Sequence, residues 1–477
     1  MLMLDDQTRA ALWPHVTQTI EKYLTEIETA RAAPLLDVET IRATLAACDF
    51  AKPVNALEAV DFVSGQLWEH LVHNGHPRYF GLFNPAATTM GIVADALVAA
   101  FNPQLAAWSH SPFPVEVEHH LLRAFGQRFG YDPAKMDGTF CSGGSEANHT
   151  ALLTALTNAF PEFNAGGARA LPTQPVFYIS SQGHHSFLKA AKMSGIGTDA
   201  VREIPLAEDL KMDLAKLSEQ IAADKAVGFY PLMIVGTAGA TSTGVVDPLV
   251  ELAEIAKREK MWFHVDAAWG GGAAFVPLLR EATLTGIEFA DSITFDAHKW
   301  LSAPMGAGVY LTRHTEILKQ TFGVATGYMP RDAAGLDVID PYTHSIQWSR
   351  RFIGLKVFMS LLVAGWNGYA QVIGKQIELG DRLRQRLAES GWRIVNRTPL
   401  PVICFVDEQN ASADFIEAVV SAIVRSGEAW ISVARIGQQS TSVIRAGITS
   451  YRTTEKEVDG LIDLLNQTRQ QVLSNNA

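Results

Sequence analysis

The chain has 477 residues, of which 48% are hydrophobic and 19% charged, a composition that builds packed cores rather than disorder. Its 39 Lys+Arg against 50 Asp+Glu leave a net charge of −11, which excludes a general nucleic-acid binder, because that role needs a basic face. Three cysteines (Cys48, Cys141, Cys404) cannot make a disulfide framework, and the acidic start MLMLDDQTRAALWPHV is unlike a secretion signal. The expectation is a soluble cytoplasmic protein with no membrane or nucleic-acid partner.

Length predicts more than one core, since single cores stop growing at about 250–300 residues. A first region, 1–85, is an N-terminal arm. Its segments LWPHVTQTIEKYLTEIETARAA and LEAVDFVSGQLWEHLV repeat apolar residues at helical intervals, with breaks at Pro34 and Pro53. Such an arm needs a surface to cover, on its own subunit or on a partner. In the second region, 86–355, short apolar runs alternate with helical stretches. Strands are expected at Val176–Ser180, Pro231–Gly236, Met261–Val265, Ser292–Phe295 and Gly308–Leu311, which predicts a mainly parallel sheet with helices on both faces. Ligands of such sheets bind beyond the carboxyl ends of the strands. Gly323–Pro341 lacks periodicity, and loops of that length are usually lids or disordered. The third region, 356–477, opens on a long helix and continues as a small α+β domain, with strands near Trp392–Val395, Pro401–Val406 and Ser442–Ile448. The longest apolar stretches are interrupted well short of the roughly 20 residues a membrane helix needs.

Four segments carry chemistry. Taken alone, Lys299 in SITFDAHKWLSAPMGAG reads as a surface lysine at a strand end; the sharper reading is a desolvated amine ready to form a Schiff base. Asp266 in MWFHVDAAWGG closes a hydrophobic strand, where it either caps a turn or meets a protonated pyridine nitrogen. Ser142-Gly143-Gly144-Ser145 precede a helix, whose unpaired N–H groups suit a phosphate. His184, after a strand and a glycine in SSQGHHSFLKA, is placed either to pack or to stack on a planar ring. Together the four ask for one ligand with a phosphate, a flat cationic heterocycle and an aldehyde. Pyridoxal 5′-phosphate is that ligand. A metal is not supported: there is no CxxC or HExxH, and His119 and His120 point apart on a helix.

The segments FCSGGSEAN, SSQGHHS, HVDAAWGG and DSITFDAHKWL resemble the group II pyridoxal-phosphate-dependent decarboxylases, a branch of the fold type I enzymes, and the likeness runs from HPRYFGLFNP (76–85) to VIRAGITSYRTT (443–454). The resemblance implies a fold type I α/β architecture with a seven-stranded sheet and a homodimer with shared active sites. It implies decarboxylation of an L-amino acid to its amine and carbon dioxide. Lys299 is then the Schiff-base lysine and Asp266 the partner of the ring nitrogen. His184 stacks above the ring, Ala268 lies beneath it, and Gly144, Ser145 and His298 hold the phosphate beside Ser142 and Gly143. Ala240 stands where the family commonly places threonine, so the resemblance implies that a hydroxyl contact near the cofactor is either missing or supplied by Thr237 or Thr241. Phe83, Asn84 and Pro85 lie near the substrate side chain. Tyr328, in VATGYMPRDAAG, protonates the α-carbon after carbon dioxide leaves. Arg445 in SVIRAG and the Trp348–Arg351 segment are structural.

The alternatives that keep the cofactor are a carbon–carbon lyase, an aminotransferase and a decarboxylation-dependent aldehyde synthase; a non-catalytic homologue is the remaining one. Tyr328 favours the decarboxylase, because related aldehyde-forming enzymes carry phenylalanine there. The sequence does not give the amino acid used.

Overall fold

The computed structural model describes residues 2–329, 333 and 335–475. Its large sheet contains β1 (Asp137–Cys141), β2 (Pro175–Ser180), β3 (Val201–Ile204), β4 (Tyr230–Thr237), β5 (Trp262–Asp266), β6 (Ser292–Asp296) and β7 (Gly308–Thr312). The spatial order is β1-β7-β6-β5-β4-β2-β3. Neighbours from β6 to β3 are parallel, whereas β7 runs antiparallel to both β6 and β1. The connection from β6 to β7 holds no helix, and without a helical crossover the next strand returns in the opposite direction. Six strands therefore end at one edge.

Strands β2, β5, β6 and β7 are buried along their whole length, which is why they read as apolar runs. Strands β1 and β3 were not visible in the sequence. Both lie at edges of the sheet, and DGTFC and VREI carry the polar residues that edges tolerate. Helices Pro112–Phe129, Gly144–Ala159, Ser186–Met193 and Leu249–Glu259 pack on the sheet, with the large core running from Phe83 to Val402.

A second sheet is antiparallel throughout: β8 (Trp392–Ile394), β9 (Val402–Asp407), β10 (Ser432–Ile436) and β11 (Thr441–Gly447), in the order β10-β11-β9-β8. The half-exposed SVARI of β10 escaped the sequence reading. Helix Leu355–Glu389 joins the two units. It places Val357, Tyr369 and Ile373 in the large core and Leu379, Leu383 and Leu387 in the small one. Contrary to the sequence expectation, this helix is long and apolar enough to cross a membrane by composition; it bends at Gly365, whose φ of 63° suits glycine.

The segment before the expected substrate residues is tied to the small sheet. Phe80 N–H donates to the Trp430 carbonyl (2.8 Å), and Gly447 N–H donates to the Phe80 carbonyl (2.7 Å). A Cβ at Gly81 would fall 2.3 Å from the Trp430 ring, so only glycine passes there. The chain then turns toward the strand edge at Phe83. At the N-terminus, helices Asp6–Glu26, Val38–Ala46 and Ala56–His70 are capped by the side chains of Asp5, Asp37 and Asn55, and none of the three buries a residue.

Candidate active site

Asp296 is the last residue of β6, and Lys299 follows it by one turn. Lys299 Nζ lies 3.0 Å from Asp296 Oδ2, and His298 Nε2 lies 3.8 Å from the same oxygen. Asp296 is 1% exposed, and its Oδ1 has no hydrogen-bond partner among the described residues. The turn is fixed by Asp296 N–H donating to the Ala268 carbonyl (3.0 Å) and Ala307 N–H donating to His298 Nδ1 (3.2 Å). Burial pulls His298 below the usual imidazole range.

Strand β1 leads into the Ser142–Ser145 turn and helix Gly144–Ala159. A Cβ at Gly144 would lie 2.9 Å from Asp296 Oδ2 and 3.3 Å from Ala268 Cβ, so the backbone approaches the Lys299 turn as only glycine allows. As the first residues of the helix, Gly144 and Ser145 have no intrahelical acceptor for their N–H groups. Ser142 differs: its N–H and hydroxyl both donate to Glu146 Oε2 (2.9 and 2.7 Å), so it shapes the turn. Gln347 Nε2 donates to Glu146 Oε1 (2.7 Å), which ties the chain around Gln347 to this turn.

At the end of β5, Asp266 Oδ2 accepts from Asn148 Nδ2 (2.8 Å), and Oδ1 accepts from Ala268 N–H (3.1 Å). Thr237 pairs in register with Asp266 and is buried, whereas Thr241 is exposed, so of the two threonines Thr237 is the one beside the carboxylate. His184, beyond β2, has Nδ1 2.8 Å from Ser186 Oγ and 3.2 Å from Ser186 N–H. Burial lowers its basicity, with the Asp266 charge opposing. The sequence reading missed Asn148, Ser186, His264 and Asp296. Asn148 closes the segment FCSGGSEAN and Ser186 closes SSQGHHS, while His264 and Asp296 lie inside HVDAAWGG and DSITFDAHKWL; membership in those segments was the only signal, since no periodicity marks any of the four.

Phe83 is buried and stacks on Trp269 (4.2 Å between centroids), with the Arg445 guanidinium 4.5 Å from its ring. Arg445 also donates from Nη1 to the Gly81 carbonyl, and burial pulls it down to about 10. Asn84 Oδ1 accepts from Tyr79 OH (2.9 Å). Asn84 and Pro85 share a cavity of about 260 Å³ with His298, Pro304 and the arm residue Tyr23. Tyr328 is not brought to this cluster. Its side chain is 75% exposed and lies 6.1 Å from the Trp348 ring.

The donor set suits pyridoxal phosphate: helix-start N–H groups and His298 for the phosphate, an amine for the aldehyde, a carboxylate for the ring nitrogen, and a glycine cradle that a Cβ would fill. Residues 55–407 match the pyridoxal-dependent decarboxylase conserved domain. The chain belongs to the pyridoxal-dependent decarboxylase family. It is similar to the aromatic-L-amino-acid decarboxylase of Bacillus atrophaeus, 30% identical over 84% of this chain and 83% of that one. The L-2,4-diaminobutyrate decarboxylase of Rhizobium meliloti is 33% identical over 65% of this chain and 60% of its own length. The Oryza sativa TDC structure with PLP and tryptamine shares the fold, with a TM-score of 0.91, 22% identity and 99% of both chains covered. This family member is an amino-acid decarboxylase, a carboxy-lyase that uses pyridoxal phosphate.

Proposed function

We propose that Lys299, Asp266 and His184 are the working residues of an L-amino-acid decarboxylase, and that two copies of the chain form the enzyme. The convergence of these three side chains with Asp296 at one strand edge carries this reading. When bound, pyridoxal phosphate supplies an electron-accepting ring for the pair released with carbon dioxide.

Gly144, Ser145 and His298 hold the phosphate and Lys299 the aldehyde end. Asp266, fixed by Asn148 and Ala268, is the carboxylate for the ring nitrogen. His184, neutral because it is buried, covers the ring face. Arg445 donates from Nη1 to the Gly81 carbonyl and lies over the Phe83 ring, while its Nε and Nη2 have no partner among the described residues. Tyr328 is the proton donor to the α-carbon, delivered on its exposed segment.

The dimer is supported by the arm. None of its three helices fully buries a residue in its own chain; Trp13, Ile20, Phe62, Val63 and Leu67 stand exposed, and Ile20 and Leu67 line a groove of about 960 Å³. A second copy of the chain is the surface they cover. The test is a panel of common L-amino acids with pyridoxal phosphate, scored for carbon dioxide and amine. Release of both from one of them is expected; release of neither from any would overturn the residue assignment.

A further inference from the structure

Asn148, the residue that closes the segment FCSGGSEAN, touches Asp266 directly and reaches His184 through Ser186. Its Nδ2 donates to Asp266 Oδ2 (2.8 Å) and to Ser186 Oγ (3.0 Å), while its Oδ1 faces His264 Nε2 (3.2 Å). The direction of this chain follows from chemistry. An ionised Asp266 only accepts, so the amide must present Nδ2 to it and Oδ1 to His264. His264 must then carry its proton on Nε2, which leaves Nδ1 as an acceptor 2.8 Å from Ser292 Oγ. Ser292 can donate there because its oxygen already accepts from the Trp262 indole N–H (2.8 Å). On the other side, Ser186 Oγ accepts from Asn148 and donates to His184 Nδ1 (2.8 Å), and the Ser186 backbone N–H (3.2 Å) makes that nitrogen an acceptor independently. Full burial keeps His264 neutral, at about 4, so the direction does not reverse near neutrality.

We infer that Asn148 is a shared positioning residue: it holds the Asp266 carboxyl aligned, and through Ser186 it fixes His184 as the tautomer whose Nε2–H is left for the active site. This rests on the roles proposed above for Asp266 and His184. The titratable groups facing this pair are His264, His185, Asp296 and Lys299.

The test uses the full-length protein labelled with 15N-histidine. His184 and His264 should each show a protonated Nε2 and an acceptor Nδ1, with or without pyridoxal phosphate; an Nδ1–H form at either ring overturns the assigned direction. The second arm is Asn148→Asp, which keeps the shape and replaces only the donating NH2 by oxygen. Near neutral pH it should hold pyridoxal phosphate about tenfold to a hundredfold more weakly. Retention should recover as pH falls and the new carboxyl gains a proton to donate. Asn148→Ala should lose the cofactor to the same extent without that recovery. Equal retention in the wild type and in either folded variant, or the same pH profile in both variants, overturns the positioning role. Neither readout requires turnover, so a failed decarboxylase assay leaves this result distinct.

Discussion

Lys299 Nζ lies 3.0 Å from Asp296 Oδ2, with the aspartate side chain 2% exposed and the lysine 25%. The pair holds the lysine amine at the mouth of the site while its carboxylate partner stays in the core. A buried carboxylate without its cation is costly, so each partner depends on the other. That dependence gives the first expectation. Lys299→Ala should abolish turnover and end covalent capture of pyridoxal phosphate, read as loss of borohydride-trapped label; residual full activity would reject the assignment.

Asp296→Asn keeps the shape and removes the charge. Lys299 then loses the carboxylate that lies 3.0 Å from its Nζ and fixes its side chain, so capture of pyridoxal phosphate should slow by about tenfold. Absorbance of the bound cofactor against time reads the rate; capture at the wild-type rate would contradict it.

Tyr328→Phe removes a hydroxyl from an exposed side chain, so stability should change by less than about 0.5 kcal/mol. The products should shift from amine toward aldehyde, measured by chromatography of both. An unaltered amine-to-aldehyde ratio would remove the proton-donor role.

His264 is fully buried, and burial holds it at about 4 against an ordinary 6.5. Below 6.5 the unfolded chain takes up a proton that the folded chain refuses. The stability His264 contributes is therefore complete above 6.5 and is lost as pH falls through 4. The full swing is about 3 kcal/mol. Asp247 acts oppositely: burial pushes it up to about 6, so it weakens the fold as pH rises through that value. Comparing urea unfolding of the wild type and His264→Gln between pH 7 and 4 isolates the histidine. The wild type should lose more stability over this window; parallel curves would refute the point.

The exposed apolar arm gives a further expectation. Val63→Glu with Leu67→Glu places two charges on residues 52% and 51% exposed in the single chain, where they cost the monomer little. Sedimentation should show the dimer dissociating toward monomer. An unchanged dimer would place the interface elsewhere.

The sequence by itself determined the large sheet's buried strands, because a strand covered on both faces must be apolar along its length, as in β2 and β5. It also pointed to the cofactor, because Asp266 closes a visible strand, Lys299 and His184 follow others, and the Gly143–Gly144 turn precedes a helix; strand ends are where such a sheet binds. Edge strands β1 and β3 were hidden, since polar residues are free to sit there.

Only the tertiary structure decided what surrounds those residues. Asn148, Ser186 and His264 come from a helix interior, a helix start and a strand interior, and no spacing rule relates them. Sheet order alone sets β4, β5 and β6 side by side and lays the Gly144–Ala159 helix across them, so one amide meets a carboxylate, a serine and an imidazole at once. Hydrogen bonds act over about 3 Å, whereas sequence patterns report only which face of an element is dry.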